Sequence, residues 1–455
     1  MESAQRVQTD GPPGPAQLPP GPRAPTIVQT IRFLRDEVGL LEDCRARYGD
    51  AFTLRIANLG DFVVLGDPEI VRQALILGAE SAHAGEARTV LEPLVGANSM
   101  LLLDDEPHVR QRRLMSAPFK GERLNVYGEV IRELTNREVD SWPLHAPFPI
   151  RPSMQTITLR VVMRAIFGLE DDARQREVED ALRPMMDLGM LLVSLPALQL
   201  NLGPLSPRRR FDRRKARVDA LLLDEIARRR RARDLDERED VLSILVRAQV
   251  EDGDMRDEEL RDQLLTLLIA GHDTTATALA WAFERVLRHP HVHSRLVEEV
   301  RAGETEYVDA VVKEVLRVRP VLSFGMRNLQ APIRVDGCTL PAGTLVGGSF
   351  HLAHHHPGAF HEPERFKPER FIDRKTETIS WLPFGLGVRR CVGAAFALFE
   401  MRVVLQTILG RAEFAPAREP PEPRRRRAVS LAPAADARVT MTVRRPAPVR
   451  EVAHA

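Results

Sequence analysis

The chain reads as a mainly α protein with a small β part, folded as a single interwoven domain. Three observations predict this. Apolar residues recur at helical spacing through most of residues 107–300. Strand signals are confined to the stretches around 51–65, 330–350 and 428–444, so the β part is split between both ends of the chain. No internal repeat or long linker separates two halves, and a hydrophobic content of 44% over 455 residues supplies a large core. Aromatic residues make up only 5%, so aliphatic side chains must build most of that core.

The elements follow in order. Residues 1–22, MESAQRVQTDGPPGPAQLPPGP, are polar and rich in Pro and Gly. They lack the basic start and apolar core of a signal peptide and predict a flexible leader. Residues 27–49 predict an amphipathic helix carrying Ile31, Leu34 and Leu40. Ala51–Ile56 and residues 62–65 flank a turn and predict a hairpin. Helical period returns over 67–77, and 79–103 is irregular and punctuated by glycine. Helices are then predicted at 107–115, 127–142, 154–167, 178–192, 208–233 and 240–250. A long one runs from about 257 to 288. Short strands occupy 330–350, a helix 394–409, and strands the region 428–444. The folded domain is thus expected over 23–445, with a tail at 446–455.

Composition removes several function classes. The chain has 65 basic and 64 acidic residues, a net charge of +1, which does not suit a nucleic-acid binder. Cys44, Cys338 and Cys391 are far apart and odd in number, which fits a reducing cytoplasm better than a disulfide framework. No run of about 20 apolar residues provides a membrane anchor.

The strongest chemical signal is Phe384-Gly385-Leu386-Gly387-Val388-Arg389-Arg390-Cys391-Val392-Gly393. A cysteine sits in a glycine-rich loop just before an amphipathic helix. Glycines let backbone turn sharply and approach a flat ligand closely. Amide groups at a helix N-terminus, with two neighbouring arginines, stabilise a thiolate. A thiolate is one axial ligand for heme iron. The bland alternative is an inert buried cysteine beside a loop.

This segment resembles the heme-binding signature of the cytochrome P450 family, Phe-x-x-Gly-x-Arg-x-Cys-x-Gly, at every fixed position. The resemblance, of the soluble bacterial type, covers roughly residues 20–445. It implies heme b (iron protoporphyrin IX) with Cys391 as the axial iron ligand. It further implies Phe384 packed near the sulfur, Gly393 in the heme-binding loop, and Arg389 on a heme propionate. His108 and Arg112 share a helix face at i, i+4; they resemble the bacterial pair that holds a propionate, and Arg327 is implied as a further propionate partner. Glu314 and Arg317, at i, i+3, and Arg370 match a buried structural triad. The near duplicate at 363–366 is passed over because 368–371 lies closer to the cysteine loop.

Within the long helix, Ala270-Gly271-His272-Asp273-Thr274-Thr275 is unusual in itself. Glycine and β-branched hydroxyl residues weaken a helix interior, and hydroxyls there bond backbone carbonyls. A kinked core helix is one reading. An oxygen-binding groove is the other, with Asp273 and Thr274 as catalytic acid and alcohol for proton delivery. The segment resembles the family's oxygen-activation motif. His354, His355 and His356 lack ligand partners at metal spacing and read as a surface loop. The runs 208–214 and 228–233 read as solvated arginine faces.

The resemblance places substrate contacts at 81–102, 184–202, 264–270, 321–326, 429–431 and near 208–215. Val90, Leu94, Met186, Met190, Leu267, Ala270, Val321, Leu322, Phe324 and Leu431 are the expected pocket residues. Leu195, Leu198 and Leu200 continue the apolar character. A lipophilic substrate is expected, such as a terpenoid, steroid or fatty-acyl compound. The competing reading is plain core. The implied reaction is activation of O2 and insertion of one oxygen atom. Electrons come ultimately from NAD(P)H through a separate ferredoxin or flavodoxin and its reductase, docking near Arg112, Arg113, Arg389 and Arg390 on a monomer. The rivals are a peroxide-dependent peroxygenase or isomerase on the same fold, and a non-catalytic heme sensor.

Overall fold

The computed structural model describes residues 6–8, 17–57, 59–119, 123–169, 171–194, 203, 206–252, 255–373, 380–417, 420–427 and 429–447. Leu195, Leu198, Leu200, most of the leader and the tail beyond 447 lie outside them. The helices, in chain order, are α1 (Thr26–Arg35), α2 (Glu37–Tyr48), α3 (Pro68–Leu75), α4 (Glu92–Val95), α5 (Asp105–Ser116), α6 (Arg123–Asp140), α7 (Arg151–Phe167), α8 (Asp172–Ser194), α9 (Pro207–Arg230), α10 (Val241–Asp252), α11 (Asp257–Val286), α12 (Pro290–Ala302), α13 (Glu306–Val318), α14 (Phe350–His354), α15 (Arg370–Asp373) and α16 (Ala394–Arg411). The strands are β1 (Val7–Gln8), β2 (Ala51–Ile56), β3 (Gly60–Leu65), β4 (Ala82–His83), β5 (Pro147–Pro149), β6 (Phe324–Leu329), β7 (Ile333–Val335), β8 (Cys338–Leu340), β9 (Leu345–Ser349), β10 (Ala412–Phe414), β11 (Arg424–Arg427), β12 (Ser430–Pro433) and β13 (Arg438–Arg444).

The largest sheet has the order β2-β3-β9-β6-β4 and joins the N-terminal hairpin to strands nearly three hundred residues later. Its β3–β9 pair is parallel, Phe62 facing Leu345, and the β2–β3, β9–β6 and β6–β4 pairs are antiparallel. A second sheet, β10-β13-β5, ties the C-terminal strand to the middle of the chain. These long-range pairings make the domain indivisible. The helical core centres on α11, which packs along α7 and is almost wholly buried from Thr275 to Val286. Gly271 permits that packing: a Cβ there would stand 3.3 Å from Val162 of α7.

Four expectations need correction. Residues 27–49 form two helices, because Asp36 leaves helical backbone (φ −147°, ψ 75°) and its side chain caps α2 by accepting from the Gly39 amide. The leader is docked where it is described. Val7 pairs with Val335 and is buried, and the Pro20 carbonyl accepts from the Thr53 amide at 3.1 Å. The histidine run is interior: His354 and His355 are buried on and just after α14. In the second arginine run, Arg229 is buried and donates to Ser243 at 2.6 Å and to the Phe167 carbonyl at 2.5 Å.

Candidate functional site

Local backbone shapes the cysteine loop. Gly385 (φ 67°) and Gly387 (φ 66°) adopt left-handed conformations that side-chain-bearing residues resist. The turn closes where the Cys391 amide donates to the Phe384 carbonyl at 2.8 Å, and α16 starts three residues on. Trp381, packed edge-on against Phe384, donates through Nε1 to the Lys313 carbonyl of α13 at 3.0 Å. The Leu382 amide donates to His354 Nε2 at 2.8 Å. Thus a histidine that sequence reasoning left on the surface anchors the loop.

Cys391 is exposed, yet surrounding protein desolvates it and pushes the thiol up; the Gly393 amide, Arg112 and Arg390 pull in the opposite direction. Both observations hold together if the sulfur faces an enclosed cleft rather than the outer surface. On α11, Ala270 is likewise open where a mid-helix residue of the core would be closed. It is exposed in the middle of α11, between buried Leu268 and His272.

Around this cleft the fold gathers cations. His108 and Arg327 are buried; Arg88, Arg112 and Arg389 are half-buried. Arg327 donates to the Leu75 carbonyl at 2.6 Å, and Arg389 pairs with Asp104. Desolvation, then repulsion from Arg88 and Arg389, lowers Arg327 to about 9. Desolvation and Arg389 lower Arg88 to about 10. Desolvation, Arg389 and Arg112 lower His108 to about 4, so it is neutral near pH 7. Asp104 acts on Arg88, Arg327 and Arg389, and Asp105 on Arg389 as well, whereas the opposing charge at Arg112 is Cys391. This excess of buried positive charge suits an anionic ligand. Together with a cysteine aimed into the cleft, it fits iron protoporphyrin: a thiolate for the metal and guanidiniums for the propionates. Arg88 was not read from sequence. It sits in a stretch expected to touch substrate, where a lone arginine carries no periodic signal.

Behind the cysteine loop lies a second charged cluster. Glu314 and Arg317 are fully buried, and Arg370 nearly so. Arg317 holds Glu314 through two hydrogen bonds of 2.7 and 2.8 Å, and Arg370 Nε lies 3.1 Å from the same carboxylate. Arg317 also donates to the carbonyls of His354, Pro363 and Arg365. Arg370 rather than Arg365 reaches Glu314; the Arg365 guanidinium pairs with Glu362 on the surface.

On α11, Thr274 Oγ1 donates to the Ala270 carbonyl at 2.7 Å, and Thr275 Oγ1 to the Gly271 carbonyl at 3.0 Å. Asp273 accepts from Arg151 at 2.5 Å, from Gln155 at 2.8 Å and from Ser430 Oγ at 3.3 Å. Arg151, buried at the start of α7, also reaches Thr277 at 3.2 Å and Asp436 at 3.5 Å. Asp273 is therefore tied to β12, which also carries Leu431.

The cytochrome P450 family model matches residues 18–440. The chain belongs to the cytochrome P450 family. It is 42% identical over 406 residues to a Mycobacterium tuberculosis protein named as cytochrome P450 135B1, with 87% of this chain and 85% of that protein covered. It is 38% identical over 395 residues to one named as cytochrome P450 138 from the same species, covering 86% and 89%. Among solved structures, the cyanobacterial CYP120A1 with retinoic acid bound matches with TM-score 0.79 and 24% identity, over 94% of this chain and all of that one. The heme domain of cytochrome P450DA matches with TM-score 0.82 and 22% identity, over 95% and 99%. The family carries heme iron and O2 chemistry and is one of monooxygenases.

Within this P450 the expected pocket residues divide. Val90 and Leu322 expose 43% and 37% of their surface, and Ala270 is also exposed; Met186, Met190 and Leu267 are half-buried. Leu94, Val321 and Leu431 are buried in the main core, where Leu94 packs on Gly189 and the Leu431 amide bonds the Val321 carbonyl. Phe324 departs furthest. Strand alternation puts it on the β6 face opposite Arg327, where it packs against Phe33 and Phe62. The expected docking surface also changes. Arg389 turns inward to Asp104, leaving Arg113 and Arg390 exposed.

Proposed function

We propose that this P450 hydroxylates or epoxidises a lipophilic small molecule of terpenoid, steroid or fatty-acyl type. The supporting observation is that Val90 and Leu322, in stretches where the resemblance puts substrate, are apolar yet exposed, while Leu267 is half-buried one turn from the exposed Ala270 on α11. Apolar walls bind by excluding water, and methionines such as Met186 and Met190 adapt to irregular shapes. Heme, when bound, supplies the reductive activation of O2 and the oxygen insertion. Cys391 would ligate its iron through the thiolate, and Arg88, Arg112, Arg327 and Arg389 with His108 would hold the propionates. Phe384 and Gly393 shape the loop around the sulfur.

Proton supply falls to Asp273 and Thr274. Thr274 already holds its hydroxyl proton on the Ala270 carbonyl, at the open side of α11. Asp273 accepts two hydrogen bonds at Oδ1 and one at Oδ2, so Oδ2 is the oxygen with room to take up and pass on a proton. Arg151 fixes which way the carboxylate faces. Electrons are supplied by an acidic ferredoxin or flavodoxin and its NAD(P)H-linked reductase, drawn to Arg113 and Arg390.

The test is spectroscopic. Reduced wild-type protein should give a strongly red-shifted Soret band with carbon monoxide, and Cys391→His should lose it. Added steroids, terpenoids or fatty acids should shift the heme spin state. A wild-type band typical of histidine ligation removes the thiolate assignment; a flat spin response across all three classes removes the substrate class. With a substrate in hand, Thr274→Ala should divert most reducing equivalents from product to peroxide. If peroxide alone drives full turnover and Thr274→Ala changes nothing, the peroxygenase reading replaces this one.

A further inference from the structure

Helix α1 is built inside out. Its inner side is fixed by Gln29, which donates to the carbonyls of Pro22 (3.1 Å) and Ala24 (2.7 Å) and accepts from the Arg55 amide (2.9 Å). Phe33 is buried between Phe324 and the Arg426 guanidinium, and Thr30 accepts from the Ala57 amide at the β2–β3 turn. These bonds forbid rotation of the helix about its axis. At about 100° per residue, Ile27, Val28, Ile31 and Leu34 then fall on the side opposite Gln29 and Phe33. There they expose 62%, 49%, 46% and 43% of their surface. A surface helix normally turns polar residues outward. This ten-residue helix holds four of the fourteen large apolar side chains most exposed among the described residues, so the patch is not scattered background.

The flanks indicate the occupant. Arg23, Arg32 and Arg35 are exposed around the apolar face. Of the neighbouring acids, Asp36 caps α2 and Asp43 pairs with Arg32, so the basic charge of the rim rests on Arg23 and Arg35. A convex apolar ridge rimmed by arginine matches an anionic bilayer surface, where the apolar face enters the headgroup boundary and the basic residues are drawn to the lipid phosphates. A second copy of the chain is a poorer fit, since a stable interface uses about 20–30 residues a side. We propose that α1 docks this P450 peripherally on anionic lipid. No helix among the described residues is long and apolar enough to cross a membrane, and docking needs none. The proposal does not depend on the substrate class.

Full-length, heme-loaded protein is mixed with vesicles of phosphatidylcholine alone or with phosphatidylglycerol added, and floated on a density gradient. Wild type should float with the anionic vesicles and less so at high salt; Ile31→Glu/Leu34→Glu should reduce the bound fraction by about tenfold or more. The variant's carbon monoxide spectrum checks that it is folded. Equal flotation of wild type and variant overturns the proposal. So does dependence on Arg23→Glu/Arg35→Glu with none on the apolar pair, which would mean plain electrostatic adhesion. A wild-type dimer in sedimentation that the apolar variant dissolves, with no flotation, assigns the face to a second copy instead.

Discussion

Two clusters of buried charge flank the cysteine loop, and they are built differently. At Glu314, Arg317 and Arg370, both carboxylate oxygens are engaged, and the surplus guanidinium N–H groups meet backbone carbonyls from 354 to 365. At Arg88, Arg112, Arg327 and Arg389, desolvation comes first in lowering each group; repulsion from a neighbouring arginine adds to it in every case, and Asp104 opposes it at Arg88, Arg327 and Arg389. Asp104 itself is held below the usual carboxylate range by the amides of Gly85 and Glu86 and by Arg389, against the desolvation that raises it. The first cluster is complete as protein alone and locks the chain that leads to the cysteine. The second keeps a surplus of guanidinium over carboxylate. Burial of charge thus takes two forms on one scaffold, matched within the protein in the first and in surplus in the second.

That contrast is breakable. Glu314→Gln leaves two buried guanidiniums without their counter-charge and should destabilise the fold by about 3–5 kcal/mol, with or without heme. Urea unfolding followed by tryptophan fluorescence measures it. A loss below about 1 kcal/mol would mean the carbonyls alone suffice. Arg88→Leu should behave in the reverse sense. In heme-free protein it relieves repulsion, so stability should stay level or rise; in loaded protein, heme transfer to an acceptor globin should speed by about tenfold, as expected for one charge-assisted contact. A fall in heme-free stability with unchanged heme transfer would place Arg88 with the structural cluster.

What was legible in the sequence follows from how locally each feature is determined. The cysteine loop needs positive φ at Gly385 and Gly387 and a helix directly after, so short-range pattern carries it. Glu314 and Arg317 are one turn apart on one helix. Which of Arg365 and Arg370 reaches Glu314 is decided by tertiary structure, since both stand in near-duplicate segments and only the fold brings the Arg370 guanidinium to that carboxylate. The hold of Arg151 on Asp273 spans 122 residues, and His354 acts on Leu382 across 28; neither leaves a trace in periodicity. The pocket was only half readable, because apolar spacing does not separate a side chain open to space, like Leu322, from one sealed in the core, like Val321. The break at Asp36 carried a capping signal that the apolar pattern overrode.

His354 joins the first cluster to the segment that leads into the cysteine loop, since its carbonyl takes Arg317 and its ring takes the Leu382 amide. Burial, then repulsion from Arg317, lowers its pKa to about 3 from the ordinary 6.5. The folded ring therefore refuses a proton that the unfolded chain accepts. Its contribution to stability is fully present above pH 6.5 and is lost as pH falls toward about 3. His354→Gln keeps an acceptor for the amide but cannot titrate. Over that window it should flatten the fall of stability with pH by up to about 1.4 kcal/mol per pH unit, one proton's worth. His351 and His355, also lowered by burial, leave a remaining slope in both proteins. Stability measured by urea titration at successive pH values reads the difference directly, and parallel curves would mean the loop is anchored without His354.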